Sequence, residues 1–186
     1  MLVRSHARLE LRETERMNLW FRLLWLVFAG RWRPALAALD TCRTEFRVLP
    51  SDLDALAHMN NGRYLSIMDL GRVDLITRCG LARGLRERRW YPVVAAQTIR
   101  FRRSLTLWQR FVVESRVLGW DDKAFLLEQR FVRGGDVVAS AVVRARFLGR
   151  GGERIAPHEV VALVGVDGES PPLPEAVAGW NREQSG

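Results

Sequence analysis

Two neighbouring runs hold the residues best suited to chemistry, Pro50-Ser51-Asp52-Leu53-Asp54 and His58-Met59-Asn60-Asn61-Gly62-Arg63-Tyr64. A carboxylate and an imidazole this close together suit acid–base work, and a carboxylate also serves as a nucleophile. Their ordinary structural roles compete with that reading. Asp54 and Asp52 suit a turn that hydrogen-bonds its own backbone, and His58 suits a residue that holds a loop. Asn60 or Asn61 caps a helix, and Tyr64, one turn further on, belongs to its core side. Arg100, Arg102 and Arg103, in TIRFRRS, form either a solvated face or a rim for an anion.

Metal and thiol chemistry find little support. Cys42 and Cys79 are the only cysteines and show no zinc or disulfide spacing. His6, His58 and His158 are scattered, so no metal site is expected. Cys79 has no nearby histidine to activate it, and a reducing compartment is the default.

The elements that must position these residues follow from periodicity. Residues 43–49 alternate as a first strand and end at Pro50. A helix then runs from Asn60 or Asn61 to about Cys79, with Gly80 terminating it. Its apolar residues cover well over half the circumference, which predicts a buried helix. Gly71 in its middle implies close packing against another backbone. A short arginine-rich piece, Arg83 to Arg89, is followed by four strands near 91–103, 108–119, 123–134 and 136–148. The connectors Gly119-Trp120-Asp121-Asp122 and Gly134-Gly135 are hairpin chemistry, so the strands pair antiparallel. Ala139, Ala141, Val143 and Ala145 make one slim face, letting the sheet curl round the helix. Residues 156–164 and 174–182 read as short closing helices. The expected class is α+β, an antiparallel sheet wrapped around a long helix.

The whole chain has 186 residues, 48% hydrophobic and 27% charged, which fits one domain with a short appendage. That composition excludes disordered and collagen-like classes. The net charge is +8, and Lys123 is the only lysine, so the excess is arginine. Such a surface favours an anionic ligand or a membrane surface. Nucleic acid has only the charge in its favour, without a recognition motif, and is not expected.

The division expected is 1–40 as a helical appendage, 41–165 as the domain, and 166–186 as a Pro-rich linker with a short helix. Residues 1–16 mix charges, and Leu19 to Ala29 is an apolar run interrupted once by Arg22. It is too short to cross a membrane, which takes about 20 apolar residues. With Trp20, Trp25 and Trp32 among arginines, it suits a helix lying in a headgroup layer. Docking on the domain or on a partner subunit is the competing reading. The expected location is cytoplasmic, with a peripheral place on the inner membrane surface as a further option.

The element order, the two site runs, and TRCG, RRSL and LGWDDKAF together resemble the hotdog-fold thioesterases, in the 4-hydroxybenzoyl-CoA thioesterase-like branch. The matching runs span about 43 to 182. The resemblance implies hydrolysis of an acyl-CoA without metal or other cofactor, coenzyme A being part of the substrate, in lipid metabolism. It implies a homodimer or dimer of dimers, sheets joined edge to edge, with sites at the subunit boundary. Carried over by position, the catalytic carboxylate falls on Asp54 and the polarising amide on Asn61, with His58 beside them. Substrate-binding positions fall on Asn60, Tyr64, Arg100, Arg102 and Arg103. Ala57 departs from the glycine that many relatives place before the histidine. A hydratase of the same fold and a non-catalytic acyl-chain binder are the alternatives.

Overall fold

The computed structural model describes residues 19–30, 32–166 and 169–184. The mixed-charge stretch 1–16 lies outside them. Helix α1 covers residues 19–29. Strand β1 (Cys42–Arg47) and a 3-10 turn (Pro50–Asp52) lead to α2 (Asn61–Arg78) and α3 (Leu81–Arg88). Strands β2 (Tyr91–Phe101), β3 (Arg110–Trp120), β4 (Phe125–Arg133) and β5 (Asp136–Leu148) follow. The chain closes with β6 (Arg154–Ile155), α4 (Pro157–Ala162) and α5 (Glu175–Glu183).

All strand pairs are antiparallel, in the order β1-β3-β4-β5-β2, with β6 on β5. The sheet wraps α2 as its composition predicts. Ala139, Ala141, Val143 and Ala145 are all buried, as are Tyr64, Ile67, Met68 and Leu75 of the helix. Alanines on β5 leave room for α2, and an aromatic cluster of Tyr64, Phe101, Phe111 and Phe131 fills the space near its first turns.

The arginine-rich stretch, to which the sequence assigns no element, is a helix. Gly80 takes φ +80 at its start, and Leu81 and Leu85, one turn apart, are buried while the arginines face out. The hydrophobic signal is only two leucines long, which arginine density hid.

Gly71 lies where α2 presses on the sheet. A Cβ there would meet Ser115 Oγ at 3.0 Å, Val113 Cγ1 at 3.1 Å and Gln129 Nε2 at 3.2 Å. Gln129 is itself fixed, donating to Met68 O (3.0 Å) and Ser115 Oγ (2.8 Å) and accepting from Arg72 (2.6 Å). Gly71→Ala is therefore expected to destabilise the protein, measured by chemical denaturation. Overpacking of about 1–3 kcal/mol outweighs a helix-propensity gain of about 1 kcal/mol.

Both ends of the described chain are tied down by polar contacts. Arg33 pairs with buried Asp74 at 2.8 Å, and Asp74 also accepts from Thr44 at 2.7 Å. At the other end Asn181 of α5 donates to Asp121 (2.8 Å) and accepts from fully buried Arg144 (2.7 Å). Burial works to raise the Asp121 carboxyl. Hydrogen bonds from Asn181 and from the Lys123 and Ala124 amides, with the Arg144 charge, hold it below its ordinary value.

Candidate active site

Residues 52–60 form a miniature hairpin. Asn60 N donates to Asp52 O (2.8 Å), Leu53 bridges Met59, and Asp54 N donates to His58 O (2.8 Å). The tip closes with Ala57 N to Asp54 O at 3.1 Å and Ala57 at φ +58. That left-handed conformation costs an alanine about 1–2 kcal/mol, which explains why glycine suits the position. Met59 N bonds Leu105 O at 2.8 Å and His58 bridges Thr106, so the segment after β2 braces the hairpin.

Asp52 anchors the base of this hairpin from below. It is buried and accepts from Leu49 N at 2.8 Å and from Arg22 of α1 at 2.6 Å. Arg22 comes from 30 residues away, and nothing in local sequence signals the pair. Asp54, by contrast, is exposed. Its Oδ1 accepts from Leu56 N (2.8 Å) and His58 N (3.2 Å), leaving the carboxylate's second oxygen toward solvent.

The hairpin delivers the chain to α2 through Asn60, which sits at φ −59, ψ 137. Its Oδ1 accepts from Gly62 N at 2.8 Å and its carbonyl from Arg63 N at 2.9 Å. Asn61 N–H finds no acceptor among the described residues. An open polar depression of about 290 Å³ lies there, lined by Ser51, Leu53, Asn60, Gly62, Arg63 and Ser66. The helix behind it is 18 residues long, so its N-terminus carries a full partial positive charge.

The structure thus gathers Asp54, His58, Asn60 and Asn61 on one hairpin and helix cap. The level of Asp54 and His58 stands two residue pairs, about 7 Å, from that of Asp52 and Asn60. None of Asp54, His58 and Asn61 lines the depression itself; of the four, Asn60 does. Tyr64 is 2% exposed and packs on Phe101 and Phe131, which puts it in the core instead of against a ligand. Burial pushes its phenol up. Arg103 pairs with Asp136 at 2.5 Å and pins the end of β2, whereas Arg100 and Arg102 are exposed.

An apolar cavity of about 280 Å³ lies at the other end of α2, which the sequence did not announce. Val73, Ile76, Val94, Leu127, Phe147 and Val161 are among its walls, and its only charged lining residues are Asp69 and Arg72. These two pair with each other, and burial pushes the Arg72 guanidinium down to about 10. None of Asp54, His58, Asn60 and Asn61 reaches it. Cys79 also lines it, and burial raises that thiol, as it raises Cys42 to about 11; neither is a ready nucleophile.

Residues 48–181 match the family model described as the thioesterase-like superfamily. Protein THEM6 of Xenopus laevis is 44% identical over 135 residues, which is 72% of this chain. The chain spans 63% of that relative's length. Among solved structures, the YbaW probable thioesterase from Escherichia coli superposes with a TM-score of 0.61 at 22% identity, covering 66% of this chain and 98% of that one. SAV2348 from Staphylococcus aureus, solved in complex with CoA, gives 0.61 at 15% identity, covering 71% and 85%. At these identities the structural likeness is one of fold, the curled antiparallel sheet with its central helix.

Proposed function

Because the chain belongs to the thioesterase-like superfamily, we propose that it hydrolyses acyl-CoA thioesters at the cap of α2. The observation that carries this reading is the Asn61 N–H. It stands without a protein acceptor, among the described residues, in the chain between Asn60 and Gly62, which both line an open polar depression. A thioester carbonyl seated there gains negative charge as water attacks, and the amide and helix terminus stabilise it without reorganising. Asp54 takes the proton from the water through its solvent-facing oxygen. Collapse of the tetrahedral adduct then breaks the C–S bond, and Asp54 returns the proton to the departing sulfur, releasing coenzyme A thiol and the carboxylic acid. His58, opposite Asp54 on the hairpin, orients that water. Arg100 and Arg102 meet the phosphates, as arginines match such oxygens.

The acyl group goes to the apolar cavity, through a second copy of the chain. β2 is one of the sheet's two edge strands and exposes Tyr91, Val94 and Phe101 along eleven residues. A long edge of that kind needs a partner. In an antiparallel pairing of two β2 edges about a two-fold axis, the Pro92–Val94 end of one protomer lies beside the Phe101 end of its partner. The first end lines the cavity and the second touches Tyr64 near the start of α2. Each cavity then opens toward the other protomer's depression. Its volume, room for roughly nine water-sized groups, suits an aliphatic acyl chain.

A panel of acyl-CoAs with a thiol reagent tests the reading. Thiol release is expected, with aliphatic chains cleaved faster than aromatic acyl groups. Absence of release above background for every substrate overturns it. A rise in melting temperature with acyl-CoA but no release supports the second reading, acyl binding without turnover. That reading is favoured by the Asp54 oxygen already committed to its own turn.

A further inference from the structure

We infer that α1 is an in-plane anchor for an anionic lipid surface. Its burial pattern is the reverse of a water-facing helix. Residues 19, 22, 23, 26 and 29 turn inward, and every outward residue in 19–29 is large and apolar: Trp20, Phe21, Leu24, Trp25, Val27 and Phe28. Trp20 is 62% exposed and Trp25 67%, and Trp32 beyond the helix reaches 69%. The only charged side chain in residues 19–30, Arg22, points inward onto Asp52. That ion pair and buried Leu26 fix the roll of the helix, so the apolar side is held outward.

A continuous face of this kind marks a surface that meets something apolar. Three features select lipid. The face offers no charge or side-chain hydrogen-bonding group beyond indole N–H, so a protein partner has almost nothing directional to read. Tryptophan is the residue that favours the membrane–water boundary. Beside α1, which bonds the Arg47 carbonyl, Arg47 and Arg110 stand on paired positions of β1 and β3, with Glu45 the one acid of β1 and Arg43 already paired with Glu114. That balance attracts anionic headgroups. No described helix is long and apolar enough to cross a membrane, so the anchor lies in the surface plane.

The anchor is also mechanically joined to the site. Arg22 holds Asp52, and the Asp52 carbonyl holds Asn60 at the start of α2. The depression therefore stands close to the surface on which α1 lies.

The test is cosedimentation of the full chain with phosphatidylcholine–phosphatidylglycerol vesicles and with phosphatidylcholine alone. Binding to the anionic vesicles with blue-shifted tryptophan emission is expected, weaker on the neutral ones. The triple variant Trp20→Ser, Trp25→Ser, Phe28→Ser is expected to bind on the order of a hundredfold more weakly with its melting temperature kept, because those side chains are mostly exposed and Phe28 packs only on the equally exposed Trp32. Wild-type protein that stays in the supernatant with both vesicle types overturns the inference. So does a wild-type oligomer that falls to a smaller species in the triple variant, which makes the face a contact between copies. Neither readout depends on thioester cleavage.

Discussion

Asp54→Asn is expected to lower kcat/KM for the preferred acyl-CoA by about 10²–10⁴, the usual contribution of a positioned general base. The substitution separates the two roles of this side chain. Oδ1 accepts from Leu56 N and His58 N, and an amide oxygen accepts both just as well. The hairpin and its tip at Ala57 are therefore kept, and the melting temperature is expected to stay near wild type. What disappears is the basicity of the second oxygen, which an NH₂ group cannot replace. Thiol-release kinetics and a thermal melt on the same sample check both halves. Undiminished turnover places the base elsewhere, with His58 next to be tried. A lowered melting point with proportionate loss of activity reduces Asp54 to a brace.

Local patterns made the frame legible. Period-2 runs placed β2 to β5 to within a few residues, and the slim β5 face predicted the wrapped helix. A cap at Asn60 or Asn61 was readable because a capping side chain needs no partner beyond the next turn, and the role falls to Asn60. The unread parts depend on distant chain. Arg22 meets Asp52 across 30 residues and Asn181 meets Asp121 across 60, and no periodicity carries such pairings. Tyr64 sits on the inward face of α2, which sequence alone left shared between core and ligand. Arg103 looked like its neighbours until the β4–β5 turn brought Asp136 to it. The described parts of the stretches expected as appendage and linker are packed onto the domain through scattered single anchors, Arg22, Leu26, Arg33 and Asn181, which no local pattern announces.

Asn61→Pro removes one N–H and little else, which makes it the sharpest probe of the proposed oxyanion site. Proline is at home in the first position of a helix, where the N–H has no intrahelical acceptor and φ near −65° is already required. It restricts the preceding residue to extended or polyproline backbone, and Asn60 is already there at φ −59, ψ 137. The two cap bonds, Gly62 N to Asn60 Oδ1 and Arg63 N to Asn60 O, do not involve the lost proton. The variant is therefore expected to melt like wild type and to lose about 10²–10³ in kcat, the cost of deleting one oxyanion donor. Asn61→Ala keeps the amide and is expected to retain turnover, so the pair divides backbone from side chain. Equal losses in both variants assign the effect to the asparagine side chain. No loss in either moves the polarising group off this residue and leaves the depression as a binding feature of the α2 cap.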